Sequence, residues 1–233
     1  MPQFSLHNET PLGRRGQLQT PHGTIETPFF MPVGTAGAMK GLTHKDLVDL
    51  GAQILLCNTY HLFLQPGDAI VRDAGGLHSF IGWDMPIVTD SGGFQVFSLE
   101  SMRDITDAGV HFRSHINGDP LFLGPEESIG VQWNLGADII ICFDQCPPST
   151  APRSEIEEAV DRTLRWAKKC KRVHRDLTTS RSTAAPLRHR SRRARAGSPE
   201  KVRRGTDRHR LRRVRRRGAC RRRDAGGDVR RSR

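Results

Sequence analysis

Residues 138–144 read DIIICFD, a short and continuous apolar run that ends in a carboxylate. Runs of this kind are typical of strands that are buried on both faces of a parallel sheet. Two more runs end in the same way, because residues 53–57 (QILLC) precede Asn58 and residues 86–89 (PIVT) precede Asp90. Helical patterns separate the three runs, so we predict a parallel α/β architecture.

The segments between and after these runs carry helix signals. Thr43, with Asp46 three residues later as its capping partner, predicts a helix that ends at Gly51. Further helices are predicted from Pro66 to Gly75 and Gly76, from Pro125 to Gly136, and from Ser154, capped with Glu157, to about residue 174.

Two hairpins are predicted beside this repeat. Residues 17–19 and 24–31 flank a Pro-His-Gly turn, and residues 105–116 and 120–123 form an inserted pair. In (β/α)₈ barrels the active site lies at the carboxyl ends of the strands, and a complete barrel typically needs about 250 residues. We therefore expect a partial (β/α)₈ TIM-type barrel with an N-terminal β-hairpin, which amounts to about half to two-thirds of a barrel.

The chain divides into two segments of opposite charge. Residues 1–176 contain 15 Lys and Arg against 21 Asp and Glu, whereas residues 177–233 contain 22 against 4. The second segment has no Phe, Trp, Tyr, Ile or Met and cannot bury enough apolar surface to offset the entropy of ordering. We predict a partial barrel over residues 1–176 and a disordered, Arg-rich tail over residues 177–233.

The tail has two possible explanations. Out-of-frame translation of a GC-rich gene would yield its 21 Arg and single Lys201, with Leu187 as the slip point, and sequencing the gene tests this. Alternatively, the tail is genuine and binds nucleic acid by neutralising phosphates, which would make the protein a non-catalytic nucleic-acid-binding accessory.

Cysteine usage and the absence of targeting signals indicate the compartment. The five cysteines form no Cys-x-x-Cys, which favours free thiols in a reducing cytosol. No signal peptide opens the chain, and no apolar run approaches the ~20 residues that span a membrane. We expect a cytoplasmic protein.

Residues 89–98 (TDSGGFQVFS) and 142–148 (CFDQCPP) are the candidate chemical motifs. Each places a carboxylate after a strand, and Gly92 and Gly93 would let a ligand approach the backbone. An ionised carboxylate can accept the adjacent N1–H and N2–H donors of a guanine-like base. The same groups also suit general acid–base catalysis.

Other interpretations of these residues stay open on spacing alone. Asp90 and Asp144 could each cap a helix or a turn, and His61 could be a structural histidine. Two carboxylates at strand ends also describe a glycoside hydrolase. The Gly-Gly-Phe-Gln run after Asp90 and the shortage of aromatic residues for sugar stacking argue against that enzyme class.

Several long motifs, taken in order, resemble tRNA-guanine transglycosylase (queuine tRNA-ribosyltransferase) of the bacterial type. The resemblance covers about residues 10–176. The motifs that carry it are residues 24–35 (TIETPFFMPVGT), 58–62 (NTYHL), 65–67 (QPG), 89–98 (TDSGGFQVFS), 112–115 (FRSH) and Phe143-Asp144 before a Cys-Pro-Pro.

The resemblance implies a fold, a reaction and a set of roles. Members are (β/α)₈ barrels with a zinc-binding subdomain, usually homodimers, and act on tRNA. They exchange guanine at the anticodon wobble position for 7-aminomethyl-7-deazaguanine, in queuosine biosynthesis, through a covalent bond to an aspartate nucleophile. By motif match, Asp90 is the proton acceptor and general acid–base and also binds the base, Asp144 reads the donor edge of the base, and Ser91, Gly92, Gly93 and Phe94 line its pocket.

The chain departs from the family pattern after residue 176. The family's nucleophile and its Cys-x-Cys-x-x-Cys zinc ligands lie further downstream and are not found here. We therefore expect no stoichiometric metal or other cofactor, little or no turnover by this chain alone, and poor folding in isolation because a partial barrel leaves strand edges open.

Overall fold

The structure, a computed structural model, describes residues 3–99 and 104–183. The predicted tail beyond residue 183 lies outside the described residues. In chain order the elements are β1 (Gln3–Thr10), β2 (Gly13–Thr20), β3 (Gly23–Thr27), α1 (His44–Asp49), β4 (Leu55–Cys57), α2 (Thr59–Leu64), α3 (Asp68–Asp73), α4 (Leu77–Ile81), β5 (Ile87–Thr89), α5 (Gly93–Leu99), β6 (Asp104–Ile105), β7 (Val110–Arg113), β8 (Pro120–Leu123), α6 (Pro125–Leu135), β9 (Ile139–Ile140) and α7 (Arg153–Thr183).

A parallel sheet of β4, β5 and β9, in that order, lies at the centre of the fold. An isolated parallel bridge from Val33 to Leu56 adds one more extended segment beside β4. The predicted α/β class is confirmed, and the three apolar runs form parallel strands, although each strand is shorter than its apolar run. β9 ends at Ile140 because the side-chain amide of Gln132 binds both the N–H and the carbonyl of Ile141, so those groups are not available to a neighbouring strand.

The N-terminal hairpin is confirmed and extended. β2 and β3 pair antiparallel around the Pro-His-Gly turn, and β1 adds a third strand. The prediction missed β1, in which Phe4 and Leu6 are the only apolar residues and both are exposed. The prediction that β3 runs to residue 31 is wrong, since the strand ends at Thr27 and the next residue, Pro28, has no N–H to donate to a ladder.

The second predicted hairpin is also present, with an additional strand. β7 pairs antiparallel with β8, and the short β6 pairs with β7 on its other side. Thr106 closes the turn between β6 and β7, because its N–H and its hydroxyl both donate to the carbonyl of Gly109. This sheet packs over the core that α7 also covers.

The helix predictions that rested on a clear cap at the end of the helix are confirmed. α1 has the predicted capping box between Thr43 and Asp46, and Gly51 follows its C-cap with φ 80°. α6 begins at Pro125 and ends at Gly136, whose φ of 70° is the left-handed conformation that favours glycine. Both helices therefore match the sequence signals.

Several helix assignments need correction, and α4 and α5 were not predicted. The helix predicted to open at Pro66 begins at Asp68, after Gly67 with φ 103°. α7 begins at Arg153, so Ser154 lies inside its first turn instead of capping it, and the helix continues past residue 174 to Thr183 because no glycine or proline interrupts it. α2 was not predicted, since its six residues directly follow a strand.

Buried apolar side chains form two main clusters around the parallel sheet. One lies between the sheet and α1, α3, α4 and α6, and includes Leu55, Trp83 and Leu135. The other lies under β7, β8 and α7, and is built around Tyr60 and Trp166, which are fully buried. In the described part of the chain, no helix is both long and apolar enough to cross a membrane.

Candidate active site

The carboxylate of Asp90 is held by four N–H donors. Its Oδ1 accepts from the backbone N–H of Thr59 (2.7 Å) and of Gly92 (3.2 Å). Its Oδ2 accepts from the side-chain amides of Asn58 (2.5 Å) and Gln95 (2.9 Å). A carboxylate offers about four lone-pair sites, so this set of donors fills them. The side chain is thereby fixed at the carboxyl end of β5.

Asp144 lies against the residue that follows Asp90. The Ser91 hydroxyl donates to Asp144 Oδ1 (2.9 Å), and the Cys146 thiol donates to Oδ2 (3.1 Å). Because β5 and β9 are neighbouring parallel strands, their carboxyl ends meet at one edge of the sheet. The two predicted carboxylates are thus brought to the same edge and linked through Ser91. Each Asp144 oxygen keeps a lone pair beyond these two bonds.

The two glycines after Ser91 allow this close approach. A Cβ on Gly93 would lie 2.6 Å from the Asp144 carbonyl oxygen, which is too close for any real side chain. Gly92 has φ 78°, and a Cβ there would lie 3.3 Å from the backbone nitrogen of Tyr60. The Gly-Gly pair is therefore required by packing between the two strand-end loops as well as by any ligand.

Phe94 stands apart from its neighbours in the motif. Ser91, Gly92 and Gly93 are buried, whereas the Phe94 side chain is 62% exposed. An exposed ring next to two half-buried carboxylates is a surface on which a flat aromatic ligand can stack. Asp90, Ser91, Gly92, Gly93, Phe94 and Asp144 therefore all lie in one region.

A buried polar network from α6 supports both strand ends. Gln132 Oε1 accepts from the Thr89 hydroxyl (3.0 Å) and the Ile141 N–H (2.9 Å). Its Nε2 donates to the Ile141 carbonyl (2.9 Å) and to the Ser128 hydroxyl (3.1 Å), which in turn donates to the Ser91 carbonyl (2.7 Å). One fully buried side chain therefore ties β5 to the residue after β9.

Sequence reasoning missed most of this supporting set. It noted Asn58 as a polar residue after a strand, but it gave no role to Thr59, Gln95, Ser128 or Gln132. Ser and Gln within a helix ordinarily face solvent, so no local signal marks Ser128 and Gln132 as buried. Gln95 lay inside the quoted motif, in the first turn of the helix that follows Asp90, and that closeness in sequence could have flagged it.

His61 lies in a cluster of rings beside this edge. The Tyr60 hydroxyl and His115 Nδ1 are 2.8 Å apart and their rings stack, and the His61 ring meets both rings edge-on. Burial lowers the pKa of His61, the nearby His115 lowers it further, and Asp90 opposes both effects. His61 is therefore neutral at pH 7, which fits a structural or hydrogen-bonding part better than that of a fixed cation.

The described cysteines do not fit the zinc centre that the resemblance implies. Cys57 and Cys170 are buried, Cys142 is exposed and Cys146 is half-buried. Burial, with a smaller contribution from Asp144, raises the pKa of Cys146 to about 12, so it stays a thiol at neutral pH. Within residues 3–99 and 104–183, the one group of possible metal ligands contains no cysteine.

The sequence model of the queuine tRNA-ribosyltransferase family matches residues 9–195 of this chain, which is most of its length. The chain belongs to the queuine tRNA-ribosyltransferase family. This confirms the membership that the sequence motifs indicated, and it weighs against the glycoside hydrolase interpretation. The match to the family continues past residue 176, where the recognisable motifs ended.

Bacterial relatives named queuine tRNA-ribosyltransferase support the assignment. The protein of Halalkalibacterium halodurans is 56% identical over 162 residues, which is 70% of this chain and 43% of the relative. That of Lysinibacillus sphaericus is 54% identical over 170 residues, which is 72% of this chain and 45% of the relative. A Listeria monocytogenes protein is 55% identical over 161 residues. The chain thus spans less than half the length of the relatives it matches.

Proposed function

We propose that this chain carries the base-recognition part of a tRNA-guanine transglycosylase site. The observation that carries the proposal is the hydrogen bond from Ser91 to Asp144, which joins the two strand-end loops in a member of this family. The substrate would be tRNA whose wobble guanine is exchanged for 7-aminomethyl-7-deazaguanine. tRNA and the free base are the proposed partners, in the cytoplasm. We propose no nucleophile among the residues of this chain.

Asp144 is the proposed reader of the base. Its oxygens already accept one hydrogen bond each, from Ser91 and Cys146, which fixes the plane of the carboxylate. The remaining lone pairs suit two parallel N–H donors, such as N1–H and N2–H of guanine. The exposed ring of Phe94 would stack on the face of the same base.

Asp90 is the proposed general acid–base, and its surroundings set a condition on that role. All of its lone-pair sites are occupied, so it can take a proton only if one donor withdraws. Gln95 is the natural candidate, because Gln95 Oε1 is buried and has no partner among the described residues. Rotation of this amide as the base enters would free Asp90 Oδ2 and give Gln95 Oε1 a donor.

We also propose that the fold is part of a (β/α)₈ barrel. The extended segment at Val33 and strands β4, β5 and β9 lie side by side in chain order and run parallel. Two clefts flank this sheet, an apolar one of about 220 Å³ lined by Phe29, Phe30 and Leu42, and one of about 240 Å³ with a mixed lining that includes Gln132, Trp133 and His174. Further barrel units would cover both clefts, and a homodimer of complete barrels would follow the family.

Replacing Asp144 by Asn is expected to weaken the binding of free guanine by about 10- to 100-fold. The substitution keeps the shape but removes the charge and one acceptor, and hydrogen bonds to charged groups contribute about 1.5–3 kcal/mol each. Equilibrium dialysis of labelled guanine with the full chain measures the change. Asp73→Asn, an exposed carboxylate on α3, is the matched control and should bind like the parent.

Equal guanine affinity in the parent chain and Asp144→Asn would refute this assignment of Asp144. An equal loss in Asp73→Asn would refute it as well, because it would show a general charge effect instead of direct contact.

A further inference from the structure

Three side chains that are far apart in sequence converge at the opposite edge of the parallel sheet. Asp138 directly precedes β9, and its Oδ2 accepts from the N–H of Ile87, the first residue of β5. The Asp138 side chain is inaccessible to solvent. Its Oδ1 lies 2.7 Å from His22 Nδ1, and its Oδ2 lies 3.1 Å from His78 Nε2. A buried carboxylate thus faces two imidazole nitrogens.

The donor set and its spacing match those of a transition-metal ion. One ligand atom from each of the three residues lies within 4.8 Å of the others. Imidazole nitrogen and carboxylate oxygen bind zinc at about 2.0–2.2 Å, which places neighbouring ligand atoms about 3.3 Å apart in a tetrahedral site. The Asp138–His22 separation of 2.7 Å and the Asp138–His78 separation of 3.1 Å would therefore open by about 0.6 Å and about 0.2 Å as the ion takes the place of the two hydrogen bonds.

One of the two histidine rings must move before a metal ion can bind. They stack with their centroids 3.6 Å apart and their planes 16° from parallel, so a single ion cannot lie in both ring planes. His22 is the ring free to tilt, because it lies on the turn between β2 and β3 and its side chain is 41% exposed. His78, at 13% exposure, stays in place. The exposed side of His22 also gives the ion an entry path and a water for its fourth position.

We propose that His22, His78 and Asp138 form a binding site for one divalent transition-metal ion, with zinc as the preferred ion. Asp90 and Asp144 follow the carboxyl ends of β5 and β9, whereas this cluster lies at their amino ends. The ion would therefore not touch the base. It would tie the β2–β3 turn to the central sheet and stabilise the fold. The proposal does not depend on the proposed function.

A metal site here runs against the expectation of no stoichiometric metal that was drawn from the sequence. That expectation of no stoichiometric metal rested on the missing Cys-x-Cys-x-x-Cys ligands of the family's zinc subdomain. His22, His78 and Asp138 are a separate ligand set, and no spacing rule for metal motifs connects residues so far apart in the chain.

Calorimetric titration of the full chain with zinc chloride tests the site. We expect one equivalent bound with a Kd in the micromolar range, and at least a 10-fold weaker Kd for that equivalent in His22→Ala. His7→Ala, which removes an exposed histidine from β1, is the matched control and should bind like the parent. Zinc at about 100 times the parent's Kd should raise the Tm of the parent by several degrees and that of His22→Ala by no more than about half as much.

His22 is exposed, so its removal leaves the fold intact, and circular dichroism of each variant verifies this. Unchanged zinc affinity in His22→Ala overturns the proposal. The absence of zinc binding by the parent chain at zinc concentrations about 100-fold above the expected micromolar Kd also overturns it. So does a loss of zinc affinity in His7→Ala equal to that in His22→Ala.

Discussion

Replacing Gln132 by alanine is expected to lower the free energy of unfolding by about 3–5 kcal/mol, because four hydrogen bonds end on this one buried amide. The N–H and carbonyl of Ile141 and the Thr89 hydroxyl would lose a partner, and the Ser128 hydroxyl would keep only its bond to the Ser91 carbonyl. Buried donors and acceptors without partners cost their full desolvation energy, and the vacated volume adds a cavity term.

Urea unfolding followed by circular dichroism measures this loss. Glu127→Gln is the control on the same helix, because Glu127 is exposed and should change stability by less than about 0.5 kcal/mol. The network assigned to Gln132 is wrong if its alanine variant loses no more stability than this control.

Replacing Trp166 by alanine is also expected to lower the free energy of unfolding by about 3–5 kcal/mol, for a different reason. Its fully buried ring packs against Phe143 at a centroid distance of 5.0 Å, and its Nε1–H donates to the Asp107 carbonyl (3.0 Å). Because Phe143 directly precedes Asp144, the cavity opens next to the proposed base reader. Guanine affinity should fall along with stability.

Leu164→Ala on the same helix is the control for Trp166→Ala. Leu164 is 57% exposed, so its truncation should change the free energy of unfolding by less than about 0.5 kcal/mol. Thermal and urea unfolding of both variants provide the comparison. If Trp166→Ala is as stable as Leu164→Ala, α7 does not anchor the segment that carries Asp144.

The parts of the fold that could be predicted from the sequence have local causes. Thr43 and Asp46 form a capping box between neighbours in the chain, and Gly136 ends α6 because its left-handed conformation suits glycine. The apolar runs before Asp90 and Asp144 indicated buried parallel strands without any knowledge of their partners. Signals of this kind need no tertiary contacts to be correct.

The parts that could not be predicted depend on tertiary contacts. β9 is shorter than its apolar run because a glutamine from α6 binds Ile141, and nothing near Ile141 in the sequence indicates this. β1 is defined by its pairing with β2 and not by burial, because its only apolar residues, Phe4 and Leu6, are both exposed. In the same way, His22, His78 and Asp138 become neighbours only when the hairpin docks against the sheet.

The candidate site likewise has parts that local sequence signals indicate and parts that depend on tertiary contacts. Asp90, Ser91, Gly92 and Gly93 were found because a carboxylate and two glycines follow an apolar run. Their link to Asp144 needed the order of strands in the sheet, since it joins residues more than 50 positions apart. The occupancy of every lone pair on Asp90 is a further property that only the assembled loops reveal.

The most direct test of the central claim compares the binding of guanine and adenine by the full chain. Guanine presents N1–H and N2–H to Asp144, whereas adenine presents the lone pair of N1, which a carboxylate repels. A site built to accept hydrogen bonds should bind adenine at least about 100-fold more weakly than guanine, with the preference reduced in Asp144→Asn. Equal affinity for the two bases, or a preference that survives Asp144→Asn unchanged, would contradict the account.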